Sequence, residues 1–166
     1  MTFCLHTTFI HIAQVIGITG AAFLSGAIIV LSLVAIPAIK GPKITVPDTP
    51  MRFRTFYTAG LTIFPFLVIL PTASFAFLAW RVAAGRMAYG FAAASTFVAA
   101  PFTLLVQGMT TKAIISKADV VESKTRGGSE AEGLEALLDR WALLNGIKGL
   151  LPLLGAVVGL STILMC

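Results

Sequence analysis

Carboxylates are scarce in this chain. Only seven of 166 residues are acidic: Asp48, Asp119, Glu122, Glu130, Glu132, Glu135 and Asp139. All of them fall in segments that read as loops or as the approach to a helix. A membrane proton relay needs Asp or Glu inside a span, and a carboxylate-bridged di-iron centre needs inward-facing Glu and Glu-x-x-His on bundle helices. Both classes are therefore disfavoured. P-loop, GxGxxG, HExxH and CxxC patterns are missing as well, which argues against an ATP, nicotinamide or flavin site and against those metal motifs. The two cysteines, Cys4 and Cys166, lie at the ends of the sequence. They are no prenylation box, and a disulfide between them is only one option, because connectivity does not follow from sequence. The first ten residues lack Lys and Arg, unlike the positive start of a cleaved signal peptide, so the first apolar run is expected to stay as a helix.

Charge of either sign is also rare, at 11% of residues, against 57% hydrophobic. A water-soluble domain carries about 25% charged residues. Four long runs supply the apolar excess: Thr7–Ile39, Thr55–Trp80, Met87–Thr111 and Gly149–Cys166, the last reaching back to Trp141 if Lys148 is tolerated. About 20 apolar residues span a bilayer as a helix, where backbone polar groups must be satisfied internally. No short alternating strands suggest a β-barrel. The expected fold is an all-α, integral-membrane four-helix bundle in a single domain over residues 1–166. Its helices are expected near 10–39, 55–80, 87–108 and 141–165.

The connections differ in character. Residues 40–54 carry Pro42, Pro47 and Pro50, which break helices. RVAAGR reads as a tight turn. Residues 109–140 are polar around TRGGSEAEG, where Ser129 and Glu132 suggest a capping box that starts a short amphipathic helix, EGLEALLDRW, leading into the fourth span. Positive charge is asymmetric. Loops 40–54 and 109–140 hold nine of the twelve Lys and Arg residues, whereas the opposite face holds only Arg81 and Arg86. The positive-inside rule places those loops in the cytosol and both termini on the non-cytosolic side. The net charge of +5 is thus a topology signal, and nothing resembles the basic, base-stacking surface of a nucleic-acid binder.

Polar stripes run along the spans. At about 3.6 residues per turn, Gln14, Gly17, Ala21, Ser25 and Ser32 share one face of the first helix. Thr58, Pro65 and Thr72 align on the second, Thr96, Thr103 and Gln107 on the third, and Trp141, Asn145, Lys148, Pro152, Gly155 and Gly159 on the fourth. Small residues and hydroxyls are the ordinary packing surface of membrane helices. Lys148 asks for more, because an ammonium inside a span costs about 2.5–3.5 kcal/mol and marks function by default. The opposing reading is a lysine that snorkels to the interface. Asn145 and Trp141, the latter an interfacial belt residue if taken alone, sit one and two turns away on the same face, while Ser32, Thr103 and Gln107 end at similar depth. Together they predict a pocket in the cytosolic half of the bundle. His6 and His11 lie at the other end, five apart, and a second ligand cluster is missing, so interfacial histidine is the better reading than a metal site. Abundant small residues on the first helix suggest a homo-oligomer.

Several strings resemble the anthrone oxygenases, small membrane proteins of fungal aromatic polyketide pathways. HIAQVIGITGAAFLSGAIIVLSLVAIPAI is similar to their first helix and MRFRTFYTAGLTIFP to their second-helix entry. AAPFTLLVQGMTTK is similar to their third helix, and LLDRWALLNGIKGLLPLLGAVVGL to their last. The likeness covers most of the chain in the same order. Two departures stand out: Thr110-Thr111-Lys112 replaces the family's usual Pro-Thr-Asn, and Lys148 replaces its usual arginine, keeping the charge but losing the planar fork.

The resemblance implies oxidation of an anthrone to a quinone with O2, without metal or flavin. On that reading Lys148, Asn145 and Gln107 are the catalytic set and stabilise a developing enolate. Lys148 could alternatively be the base. Trp141, Thr103, Ser32, Thr111, Lys112 and Tyr57 are the expected substrate-binding residues. The partners are a small hydrophobic aromatic substrate and the lipid bilayer, and an endoplasmic-reticulum or related endomembrane is the expected site. The competing readings are a non-catalytic assembly subunit or carrier, a diverged member acting on another polyketide, and a haem or copper oxidoreductase using His6 or His11.

Overall fold

A computed structural model describes residues 2–40, 48–123 and 133–165, with side chains for 7–40, 49–117 and 133–165. The expected Ser129–Glu132 capping box and the Cys4–Cys166 pair lie outside the described residues. Four long helices form an antiparallel bundle in which each packs on its sequence neighbours and the fourth closes against the first. All four are long and apolar enough to cross a membrane, over Thr7–Ile39, Thr49–Arg81, Arg86–Lys117 and Leu134–Met165.

The first helix runs from Thr2 through Val30, widens to a π-turn at Leu31–Ala35 and ends with Ile36–Ile39. The second covers Asp48–Arg81 and starts seven residues before the expected Thr55. Pro50 does not prevent this, because a first-turn residue has no intrahelical N–H partner to lose. The third helix runs over Arg86–Phe102, a second π-turn at Thr103–Gln107, and Gly108–Ser123. It passes well beyond the expected end near Gly108. Thr110, Thr111 and Ile114 form a buried face there, and Ile114 packs with Phe53, Leu134, Leu138 and Trp141. That packing stabilises as helix a stretch whose polar composition reads as a loop. The fourth helix, Leu134–Met165, takes in the expected amphipathic approach from Leu134 onward without a break.

Four residues join Arg81 to Arg86, confirming the tight turn. Its Gly85 is needed for close approach: a Cβ there would lie 2.8 Å from both Thr162 and Tyr89. Glycines also seat the largest core ring. Phe75 lies against Gly17 and Gly159, where added Cβ atoms would meet it at 3.0 and 2.7 Å.

Burial bears out three of the four stripes. On the first helix Gly17, Ala21, Ser25 and Ser32 are buried and Gln14 partly so, and the named positions of the fourth helix are all buried. On the third helix Thr96 and Gln107 are buried and Thr103 half-buried. The second helix differs: Thr58 and Pro65 are exposed, and Phe53, Val68, Pro71, Phe75 and Leu78 face inward. Thr58 satisfies its hydroxyl on the Arg54 and Thr55 carbonyls of its own helix, so it needs no neighbour. Bulky apolar groups fill the interior against the small residues of the other three helices.

Candidate functional site

Lys148 points into the bundle and does not snorkel; it is only 4% exposed. Its Nζ donates to Thr103 Oγ1 at 3.2 Å and to Gln107 Oε1 at 3.1 Å. The ammonium also lies 4.7 Å from the ring centroid of Phe64 on the second helix, within cation–π range. Gln107 donates through Nε2 to Asn145 Oδ1 at 3.3 Å. Asn145 in turn donates through Nδ2 to the Ile28 carbonyl at 2.9 Å and to Ser32 Oγ at 3.0 Å. All four helices thus meet at one polar knot. Antiparallel packing explains the pairing: Thr103 and Gln107 are one turn apart on the third helix, and Lys148 and Asn145 are one turn apart on the fourth.

A second layer lies one turn further toward the loops. Trp141 is buried and donates Nε1 to Thr111 Oγ1 at 3.1 Å. The Tyr57 hydroxyl lies beside Thr111. Phe53 meets Trp141 edge-on at 5.2 Å and stacks with Tyr57 at 6.1 Å. Phe56 meets Trp141 edge-on at 6.3 Å. Eight of the nine expected site residues therefore belong to one continuous assembly. Lys112 does not. It is exposed, because one residue past Thr111 is about 100° further round the helix and off the inner face.

The expected pocket is filled by its own lining where the lysine sits. Ser32, Gln107, Asn145 and Lys148 are buried and bond one another directly, and Lys148 Nζ uses two of its three N–H donors on Thr103 and Gln107. An open recess of about 560 Å³ lies beside the aromatic layer, lined by Met51, Arg52, Thr55 and Phe56.

Several features were not expected from sequence. Both π-turns fall at the knot, Leu31–Ala35 holding Ser32 and Thr103–Gln107 holding Thr103 and Gln107. Widened turns of this kind often mark functional positions and can compensate for nearby prolines. Pro37 and Pro101 lie close to them, yet Pro65, Pro71 and Pro152 sit in helix with no π-turn, so proline alone was no reliable signal. Phe64 beneath the ammonium carried no signal at all. At the other end, exposed His11 pairs through Nδ1 with Gln14 Oε1 at 3.1 Å, and Gln14 donates to buried Tyr89 Oη at 3.0 Å. Among the described residues no three His, Cys, Asp or Glu side chains come together as metal ligands, and the side chains of Cys4 and His6 lie outside them.

The anthrone oxygenase family profile matches residues 53–158, the stretch that supplies the knot's third- and fourth-helix side chains and the whole aromatic layer. The chain is 34% identical over 162 residues to the anthrone oxygenase encC of Aspergillus fumigatus, covering 89% of this chain and 90% of that one. It is 29% identical over 151 residues to the anthrone oxygenase AgnL2 of Paecilomyces divaricatus, covering 89% and 92%. It is also 29% identical over 153 residues to the monooxygenase hypC of Dothistroma septosporum, covering 89% and 80%. No solved structure matches the chain. On the family match and the identity to these relatives, the protein belongs to the anthrone oxygenase family and is an oxygenase.

Proposed function

We propose that this oxygenase converts an anthrone-type aromatic polyketide to the corresponding quinone with O2 at the Lys148 knot. The observation that carries this reading is a buried ammonium held by two neutral partners, Thr103 and Gln107, beside an aromatic layer. An anthrone has an acidic methylene that, once deprotonated, delocalises charge onto its carbonyl oxygen. A preorganised cation in a water-poor site favours that anion, as oxyanion donors do in other enzymes. In the bound state the anionic oxygen accepts from Lys148 Nζ, through its third N–H or in place of the Gln107 or Thr103 oxygen.

The rest of the chemistry belongs to the substrate. The carbanion adds to O2, giving a hydroperoxide at the former methylene carbon. Loss of water leaves the second carbonyl, so CH2 plus O2 becomes C=O plus H2O. The anthrone supplies the electrons, and this route needs neither metal nor flavin. Asn145 holds Gln107 in place through its Oδ1 and is itself fixed by Ile28 and Ser32. Trp141, with Phe53 and Phe56, offers ring faces and edges to a planar substrate.

Met165 is seventeen residues past Lys148, about 26 Å of helix at a rise of about 1.5 Å per residue, close to the ~30 Å hydrocarbon thickness. The knot therefore sits near one boundary of the apolar slab and Trp141 beyond it. With the basic loops cytosolic, a membrane-dissolved substrate reaches the site from the cytosolic interface.

The test is turnover of an anthrone by the purified protein under 18O2. One 18O atom in the new carbonyl, with one O2 consumed per quinone, supports the route. Quinone formation with all oxygen released as hydrogen peroxide, or label arriving from water with quinone exchange controlled for, overturns it.

A further inference from the structure

The recess at Met51, Arg52, Thr55 and Phe56 lies outside the knot, yet it shares a wall with the site. Phe56 lines it on one side and meets Trp141 edge-on at 6.3 Å on the other. Phe53, one residue past Arg52, is fully buried against the same indole. The recess is open on its outer side and holds about 560 Å³ along one flank of the second helix. Its composition is divided. Phe56 and the Met51 thioether give an apolar, polarisable surface that suits a flat ring system. Arg52 gives a fixed cation with a planar fork. The Thr55 hydroxyl is satisfied at 3.1 Å by the Met51 carbonyl of its own helix, so arginine is the polar group left to recognise a ligand.

We propose that this recess is an entry site for a planar aromatic acid, with the ring system on Phe56 and Met51 and the carboxylate or ionised phenol on Arg52. The inference rests on the proposed oxygenase reading and assigns the acidic group of its substrate a binding residue outside the knot. Position supports the assignment. Arg52 stands in the first turns of the second helix, beside Arg54 and just before the uncharged stretch from Thr55 to Trp80. An amphiphilic acid at an interface adopts the same polarity, anion outward and rings inward. One helical turn deeper, the Phe56–Trp141 pair connects the recess to the layer that leads to Lys148. Arg52 therefore acts as a binding residue that selects and orients, and the knot retains the chemistry.

The test uses a ligand that is already oxidised, so binding is read independently of turnover. The wild-type protein in phosphatidylcholine nanodiscs, chosen to avoid competing anionic lipid, is titrated with anthraquinone-2-carboxylate and with neutral 2-methylanthraquinone. The wild type is expected to prefer the acid. Arg52→Gln should weaken binding of the acid by about tenfold, the size of one charge-assisted hydrogen bond, and leave the neutral quinone where it was. Arg52→Lys should fall between. Arg52 is exposed, so the variants are expected to fold, and unchanged helicity by circular dichroism checks it. Three results overturn the proposal: no preference for the acid in the wild type, equal losses for both ligands in Arg52→Gln, or loss of the acid in Lys148→Met with none in Arg52→Gln. A protein that binds the acid as described but never oxidises an anthrone refutes the oxygenase route and leaves the entry site standing.

Discussion

Lys148 Nζ and Gln107 Oε1 stand 3.1 Å apart across the interface of the third and fourth helices. Gln107 is the hinge of the knot, since its amide oxygen accepts from the lysine while its amide nitrogen donates to Asn145. Removing one partner of a buried charge strands the other, whereas removing both leaves an apolar interface. Gln107→Leu is therefore expected to lower stability by about 1–2 kcal/mol, and more than Lys148→Met does. The double variant should recover part of the loss. Thermal unfolding of the four proteins in one detergent closes the cycle; additive losses would show that the two side chains are not coupled.

Asn145→Leu should reduce turnover less than Lys148→Met. It removes the groups that hold Gln107, Ser32 and the Ile28 carbonyl, but leaves the cation. A kcat of Asn145→Leu below that of Lys148→Met, at equal protein folding, would move the chemistry to the amide.

Packing gives a prediction independent of chemistry. A Cβ on Gly155 would sit 2.6 Å from Thr96 Oγ1 and 2.9 Å from the Ala92 carbonyl, whereas one on Gly60 meets nothing within 4 Å. Gly155→Ala should cost about 1–3 kcal/mol by overpacking. Gly60→Ala should be neutral or stabilising by up to about 1 kcal/mol, since alanine is the better helix former. Equal melting temperatures for the two variants would contradict the third–fourth helix interface described.

The fold was legible because long uncharged runs admit few structures in a bilayer. The Lys148 face was legible because Trp141, Asn145, Lys148 and Pro152 keep helical spacing, and antiparallel neighbours follow from a four-residue turn. The extension of the third helix to Ser123 was hidden: Thr110, Thr111 and Ile114 are stabilised by Phe53, Leu138 and Trp141 from other helices, and local composition does not record distant partners. The same reason hid Phe64. Lys112 shows the converse limit: it adjoins Thr111 in sequence, yet sequence adjacency does not say which face of the helix a residue takes, and the inner face there belongs to Gln107 and Thr111. The π-turns at Ser32 and Thr103–Gln107 have no compositional mark that Pro65 and Pro152 do not share.

The Lys40–Asp139 pair links the ends of the first and fourth helices at 2.8 Å, with Asp139 66% exposed. Exposed pairs contribute at most about 1 kcal/mol. Asp139→Asn should shift the melting temperature little and leave turnover unchanged; a large loss of either would show that the loop ends control the knot.

His11 bonds Gln14 at the end of the bundle away from Lys148. His11→Ala and His6→Ala are expected to keep near wild-type turnover, and chelators to have no effect. Absorbance of the purified protein and metal analysis check the same point. Inactive histidine variants together with bound haem or copper would place the reaction at that end.

The most direct measurement is O2 consumption with emodin anthrone by the purified wild type, Lys148→Met and Lys148→Arg, each shown to be folded and against a boiled control. Methionine keeps the apolar stem and removes the charge, so Lys148→Met should lose about 10²–10³ in kcat, the scale of one oxyanion donor. Lys148→Arg keeps the charge and should retain activity. A fully active Lys148→Met would contradict the assignment of the buried ammonium as the centre of the chemistry.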